Sequence, residues 1–467
     1  MPKLMPLTWL PNLDQVRGPL YWRIHAALAN DIRAGRLAAG ERLPPHRTLA
    51  RTLGVTVNTV SRAFAEAERS GLVVSRVGRG TYVKGFPEDL VGVNDGPLEI
   101  VDLSVNVASS DSFNPVLNRL LGALSRRRSL HALLHYCPYP GVARHRSAAA
   151  RWIARRGIEA RPGQVVVCNG AQEGLLTSLS AIARPRDTIV TEKLNYAGVR
   201  HIARSLDLNL RGVECDAQGM LPDALEVACH QENVAAILVT PTNHNPTNAS
   251  MPLTRRAAIV EIAGRAGTLL IEDDAFGHLS GDATPTVTSL APERCIYVCS
   301  LSKSVAVGLR VGFILAPAAL VASLVNALRV TTSPYPAFMA ELMTLLVEDG
   351  SADGVVAWHR SEAQARLDMA RQILPLDSCG PCALPSYHLW VSLPGPWRPV
   401  ELTEELRARG VLVSPSDNFA VDRSPTPHAI RLSLGAPSER DQLRRALGII
   451  AERLREPPPR LHNLPHS

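Results

Sequence analysis

The sequence predicts a multidomain chain: an N-terminal winged helix-turn-helix joined to a three-layer α/β body that carries a smaller C-terminal α/β subdomain. Three observations predict this. Positive charge is concentrated at one end, the first eighty-odd residues spell helix, turn, helix and hairpin, and from about residue 101 β-rich runs alternate with amphipathic stretches. At 467 residues the chain is too long for one ordinary domain.

Residues 1–85 contain 13 Lys+Arg and 5 Asp+Glu, a net of +8. The remainder has 50 − 13 = 37 basic and 43 − 5 = 38 acidic residues, a net of −1, so the whole excess sits in the first fifth. A basic segment on a near-neutral body points to a polyanion-binding module joined to something else. No run of about 18 apolar residues lacks charge or proline, and "MPKLMPLTWLPNLDQ" has no continuous apolar core, so neither a transmembrane helix nor a leader is expected. Eight cysteines without a framework spacing fit a reducing, cytoplasmic setting.

In "PLYWRIHAALANDIRAG", Leu20, Ile24, Leu28 and Ile32 recur every four residues, one apolar stripe ending at Gly35. "HRTLARTLGVTVNTVSRAFAEAERSGL" then predicts a short helix, a turn at Gly54-Val55-Thr56, and a second helix with Val60, Phe64 and Ala67 on one face. "LVVSRVGRGTYVK" reads as two short strands around Gly-Arg-Gly, a wing. Residues 85–100, "GFPEDLVGVNDGPLEI", lack periodicity and read as a linker. The expected domains are therefore 1–84, 101–455 with the small subdomain at about 340–455, and a frayed tail at 456–467.

The basic segment resembles the winged helix-turn-helix of GntR-type bacterial regulators, through "PLYWRI", "AGRLAAGERLPPHRTLARTLGVTVNTVSRAF" and "GRGTYV". The resemblance implies that Arg47, Thr56, Asn58, Thr59 and Arg62 face a double-stranded DNA operator, with Arg79 and Gly80 on the wing. Val57 stands where many such regulators have a basic residue.

In the body, "QVVVCNGAQEGLLTSLSAI" is a strand, a turn at Asn169-Gly170 and a helix from Ala171, whose first N–H groups suit an anion. Three later strands end in polar chemistry: "VAAILVTPTNHNPTN" at Asn243–Asn248, "TLLIEDDAFG" at Glu272-Asp273-Asp274, and "CIYVCSLSKS" at Ser300–Ser304. Ligands bind beyond the carboxyl ends of strands in such sheets. An amide, a carboxylate and a lysine converging there meet the requirements of pyridoxal 5′-phosphate. The lysine is notable in itself, because the chain has forty-six arginines and only four lysines (Lys3, Lys84, Lys193, Lys303). Arginine carries charge but does not readily lose a proton to attack an aldehyde.

The stretches "YCPYPGVARHR", "NGAQEG", "NHNPTN", "EDDAFG", "SLSKSVAVGLRVGF" and "AIRLSLG" resemble fold-type I pyridoxal-phosphate aminotransferases across residues 101 to about 450. The resemblance implies that Lys303 holds the cofactor aldehyde, Asp273 pairs with the pyridinium nitrogen, Asn245 bonds the ring oxygen and Tyr196 stacks on the ring. Ala171 and Gln172 would bind phosphate at the helix start, with Ser300, Ser302 and Arg310 beside it. Tyr136 would reach the phosphate of a neighbouring subunit, which implies a homodimer, and Arg431 would clamp an amino-acid carboxylate. A GntR-type module followed by such a body is the arrangement of MocR-type regulators. It implies a transcription regulator that senses pyridoxal phosphate, an amino acid or an amine; the alternative is a working aminotransferase with an accessory DNA-binding module.

Three departures bear on that choice. Phe276 stands where relatives have a tyrosine, Asn248 replaces the glycine usual after "NPT", and "LSVNVAS" lacks a glycine often found near substrate, so Val105–Val107 would shape an unusual pocket. Two motifs point elsewhere. "CGPC" (Cys379–Cys382) matches a redox motif without its βαβ setting, and "HALLH" (His131, His135) has metal-ligand spacing without an acidic partner; ordinary structural positions are expected for both, with no metal.

Overall fold

The structure is a computed structural model describing residues 9–13, 18–33, 36–37, 41–69, 72–76, 80–83, 100–108, 113–126, 129–231, 233–331, 334–380, 382–422 and 424–456. The chain divides into two compact units, residues 1–97 and 98–467. The expected linker lies outside the described residues save for Ile100, as do tail residues 457–467.

In the first unit, α1 (Leu20–Arg33), α2 (His46–Leu53) and α3 (Val57–Arg69) precede the hairpin of β1 (Val73–Arg76) and β2 (Gly80–Val83). Ile24 and Leu28 are fully buried and Ile32 packs against the same core, whereas Leu20 at the helix start is 43% exposed, so the expected four-residue stripe loses its first member. Helix α2 stops at Gly54, whose φ of 65° is the left-handed conformation glycine adopts without a Cβ penalty. Leu49 and Ala50 then pack against Val60, Ala63, Phe64 and Ala67 of α3, and Val73 and Val83, cross-strand partners, close the core. The turn of the wing, including Arg79, lies outside the described residues.

The second unit is built on a seven-stranded sheet. Its strands are β3 (Val165–Cys168), β4 (Thr188–Glu192), β5 (Asn209–Val213), β6 (Val234–Val239), β7 (Leu269–Asp273), β8 (Cys295–Ser300) and β9 (Gly312–Leu315). Their spatial order is β3-β9-β8-β7-β6-β4-β5, parallel except for β9, which runs antiparallel to both neighbours. Alternate side chains enter opposite layers, as the two-residue period requires. Val165 and Val167 join a core with Trp152, Ile153 and Met343, while Val166 and Cys168 join Leu175, Leu179 and Leu324. Strands buried on both faces read as unbroken apolar runs, which is why "VVVC" and "CIYVCS" signal this sheet.

A 23-residue helix, Ser351–Ile373, links this body to the small subdomain. Its first turns (Ala352, Val355) pack in the sheet layer, and Leu367 and Ala370 pack in a separate core. Ala340, Met343 and Leu346 also belong to the sheet layer, so the second core starts later than residue 340, and it takes in Leu103 from the front of the unit. Its sheet is β10 (His388–Ser392), β11 (Ser414–Pro415) and β12 (Ala429–Ser433) in the order β10-β12-β11, with Arg431 of β12 opposite Trp390 of β10.

Candidate functional site

Strands β6, β7 and β8 are neighbours in the sheet and run parallel, so the loop after β6, the end of β7 and the turn after β8 emerge side by side. A cavity of about 630 Å³ opens there. Lys303, Asp273, Asn245, Tyr196, Ala171, Gln172, Ser300, Ser302, Arg310 and Arg431 all line it. Tyr136 is not in its wall; this side chain is 89% exposed.

Lys303 sits in the tight turn after β8, where Val305 N–H donates to Leu301 O at 2.9 Å. Burial, with Arg431 and Arg310 nearby, lowers its pKa to about 8. Its amine donates to the backbone oxygen of Asn106. Asp273, the last residue of β7, is 7% exposed, and burial raises its pKa to about 7. Among the described residues its carboxylate accepts only the Ala275 N–H, at 3.1 Å, and no cation bonds to it. Glu192, at the end of β4, is another buried acid raised to about 7 by burial; it accepts from Thr240 N–H, Thr191 Oγ1 and Asn195 Nδ2.

Opposite lies the start of the helix Ala171–Ile182, which has no side-chain cap and whose N-cap, Gly170, adopts φ 92°. A Cβ on Gly170 would lie 3.5 Å from Arg310 Nη2, and a Cβ on Gly312 would come within 2.5 Å of the Gly170 backbone. Gly312 thus lets the helix start and β9 converge, while Gly170 answers to its positive φ, since a Cβ there would make only an ordinary contact with Arg310. Arg310 Nη2 donates to Asn169 O at 3.3 Å, and Tyr196 OH donates to Gln172 Oε1 at 2.9 Å. A Cβ on Gly198 would meet the Tyr196 ring at 2.2 Å, so that glycine makes room for the ring.

On the third side Arg431, 5% exposed, donates to Asn245 Oδ1 at 3.0 Å and to Ser104 O, and lies 4.9 Å over the Phe419 ring. Among the described residues no carboxylate accepts from it, and burial lowers its pKa to about 10. Sequence reasoning missed the backbone oxygens of Ser104 and Asn106, the ring of Phe419 and the spacing glycines. Backbone atoms leave no residue-type signal, and a glycine's clearance is defined only by what packs above it.

Cys379 and Cys382 are free thiols, raised by burial and in Cys382 to about 11, at the approach to β10. His131 lies within a 3-10 turn, Leu130–Leu134, and His135 just after it, rather than on an α-helix, with rings 6.4 Å apart; among the described residues no group of three metal-ligating side chains forms.

In the first unit Arg47, Thr56, Val57, Asn58 and Arg62 are exposed. Thr56 Oγ1 accepts the Thr59 N–H at 3.2 Å and lies 2.8 Å from Thr59 Oγ1, so these two threonines cap the start of α3. The Arg62 guanidinium stacks 4.0 Å above the Tyr21 ring. Gly80 opens β2, and Arg79 lies outside the described residues.

The residues of the cavity fit pyridoxal phosphate: a buried carboxylate bonded to no cation for a pyridinium N–H, an uncapped helix start with a guanidinium for phosphate, and a buried amine for an aldehyde. Comparison with known proteins agrees. The profile of the family "Aminotransferase class I and II" matches residues 99–450, and that of "Bacterial regulatory proteins, gntR family" matches residues 20–83. The chain is 28% identical over 451 residues to the uncharacterized HTH-type transcriptional regulator YdeF of Bacillus subtilis, covering 95% of this chain and 96% of that one. It is 29% identical over 303 residues to the vitamin B6 salvage pathway transcriptional repressor PtsJ of Salmonella typhimurium, covering 64% and 68%. Among solved structures, a Pyrococcus horikoshii kynurenine aminotransferase superposes with a TM-score of 0.71 at 20% identity, over 77% of this chain and 91% of that one, a likeness of fold. Among the described residues no helix is long and apolar enough to cross a membrane. The chain therefore belongs to the aminotransferase class I and II family, whose cofactor is pyridoxal 5′-phosphate, and carries ahead of that domain a gntR-family DNA-binding module.

Proposed function

We propose that the chain is a cytoplasmic, dimeric transcription regulator of MocR type, which binds pyridoxal phosphate through Lys303 and senses the cofactor itself or an amino acid or amine. One observation carries this reading. A buried amine titrating near 8, a buried carboxylate bonded to no cation and a guanidinium bonded to no carboxylate share one cavity, in a chain that also has a DNA-binding module.

The cofactor, when bound, supplies an aldehyde that condenses with amines and a ring that withdraws electrons. The chain's own residues then divide the work. Lys303, uncharged above about pH 8, presents a nucleophilic amine. Asp273 supplies the anion that holds a ring nitrogen protonated. Asn245 turns its Oδ1 to Arg431, which would leave its NH2 for a ring oxygen, and Tyr196 would cover one ring face. Ala171, Gln172, Ser300, Ser302 and Arg310, which line the cavity, would hold its phosphate at the helix start. Arg431 clamps a carboxylate with its planar fork.

The exposed Tyr136 and Leu134 (82% exposed) support a second copy covering this face, with Tyr136 directed to the partner's phosphate. PtsJ, a vitamin B6 salvage repressor by name, supports the cofactor as signal. Regulation requires the ligand to bind two arrangements of the body with different affinity and so to re-space the DNA modules. The test is the visible spectrum of purified protein through a titration with amino acids and amines, with a DNA footprint at each saturating ligand. A compound that shifts the cofactor band and the footprint together is expected, and a footprint indifferent to every band-shifting compound sinks the sensing claim.

The presence of Lys303, Asp273 and Arg431 in one cavity also supports the second reading, a working aminotransferase. Phe276, 4% exposed with its ring 4.9 Å from that of His388, offers no hydroxyl to tune the ring. Sustained turnover with a keto acid would select that reading.

A further inference from the structure

Asn248 lies in the loop after β6, three residues beyond Asn245, and takes no part in the cavity wall. Its backbone is left-handed, φ 62°, a conformation asparagine tolerates better than other residues with a Cβ. Its side chain is buried, 2% exposed, and crosses to the small subdomain. Nδ2 donates to His388 O at 2.9 Å and to Ser386 Oγ at 3.1 Å, and Oδ1 accepts the Trp390 N–H at 3.0 Å. One side chain thus bonds the backbone of β10 at two residues, as a further strand would.

The same loop makes further bonds to this segment. Asn243 Nδ2 donates to Pro385 O at 2.8 Å, and a His388 ring nitrogen lies 3.1 Å from His244 O. Trp390 is the cross-strand partner of Arg431, and Arg431 returns to the loop through Asn245 Oδ1 at 3.0 Å. Asn248, Trp390, Arg431 and Asn245 therefore form a closed circuit in which the backbone supplies two sides and two side-chain contacts supply the others.

We infer that Asn248 is a positioning residue for ligand recognition: by clamping β10 to the loop, it sets the placement of the Arg431 guanidinium relative to Asn245, and so the affinity for the carboxylate of an amino-acid ligand. This rests on the proposed roles of Lys303 and Arg431. A fork that recognises a carboxylate through two bonds loses strength steeply when its placement relaxes. Glycine adopts the left-handed backbone freely but has no side chain to make the clamp. Aspartate keeps an acceptor for the Trp390 N–H and loses both donated bonds.

The test uses full-length protein stripped of cofactor and two reduced adducts, N-(5′-phosphopyridoxyl)-L-alanine and N-(5′-phosphopyridoxyl)-ethylamine, which differ only in the carboxylate. Calorimetry measures both affinities, and their ratio reports carboxylate recognition independently of turnover. Wild type is expected to favour the alanine adduct. Asn248→Gly is expected to cut that ratio about ten-fold with less than a two-fold change for the ethylamine adduct, and Asn248→Asp to fall between. A merely structural role would weaken both adducts together, and that result, or an unchanged ratio, overturns the inference. Wild type that binds neither adduct overturns the cofactor reading and this inference with it. Wild type that binds both equally overturns the role of Arg431, and with it the inference.

Discussion

Arg156 Nε donates to Asp274 Oδ2 at 2.8 Å with both side chains out of solvent, one residue along from Asp273 at the cavity floor. Tyr297 OH donates to the same carboxylate oxygen at 2.7 Å, and the Asp274 N–H bonds Val298 O at 2.9 Å. Removing one partner of a buried pair leaves an uncompensated charge. Arg156→Met is expected to destabilise the body by roughly 3–5 kcal/mol, measured by urea unfolding. An Asp274→Asn/Arg156→Met double variant is expected to lose less than the sum of the two single changes, and an additive loss would mean that the pair is not coupled.

The buried acids predict how the cofactor-free protein responds to pH. Asp273 and Glu192 are each raised to about 7 from ordinary values near 4. Between about pH 4 and 7 the folded chain thus holds more protons than the unfolded one, and stability falls as pH rises through that window. Asp273→Asn is expected to flatten the fall in Tm between acid and neutral pH. An unchanged slope would show that Asp273 is not the source.

Lys303 titrates near 8, well below its ordinary 10.5. Its uncharged fraction, and with it the rate at which stripped protein takes up pyridoxal phosphate, is expected to rise about ten-fold from pH 7 to pH 9 and then level. Stopped-flow absorbance measures it. A rate still climbing steeply at pH 10 would indicate an unperturbed lysine.

Gly312→Ala places a methyl group within 2.5 Å of the Gly170 backbone, which must move. The phosphate cradle is then displaced, and affinity for pyridoxal phosphate is expected to drop by about ten-fold or more while Lys303 and Asp273 remain in place. Equilibrium dialysis against the cofactor reads this directly.

In the DNA-binding module, Arg47→Ala is expected to weaken all DNA sequences alike and to reduce the salt slope of binding by about one. Asn58→Ala is expected to relax base preference instead, by about 1–3 kcal/mol at one position. Selection from random duplexes at two salt concentrations separates the two effects.

Much of this architecture is legible in local sequence because local rules produce it. Glycine at 54 ends a helix, apolar runs mark doubly buried strands, and one of only four lysines, set between two serines, marks an amine set apart for its chemistry. Lys303, Asp273 and Asn245 could be named because each lies at or just beyond the end of a strand, where such sheets bind ligands, whereas Tyr196 followed only from the resemblance to fold-type I aminotransferases. Arg62 is less transparent: its place on the helix follows from the sequence, but its stacking depends on Tyr21, 41 residues earlier.

Chain order and side-chain pattern therefore suffice for the two modules, the strand–helix alternation and the residues able to hold an aldehyde, since each follows from periodicity or from chemistry at a single position. Tertiary structure alone decides which charged groups are left without an oppositely charged partner among the described residues. The carboxylate of Asp273 and the guanidinium of Arg431 are set apart by what surrounds them, and the clamp of Asn248 joins segments about 140 residues apart. Burial, clearance and hydrogen-bond satisfaction are properties of an arrangement in space, and no single stretch of sequence contains them.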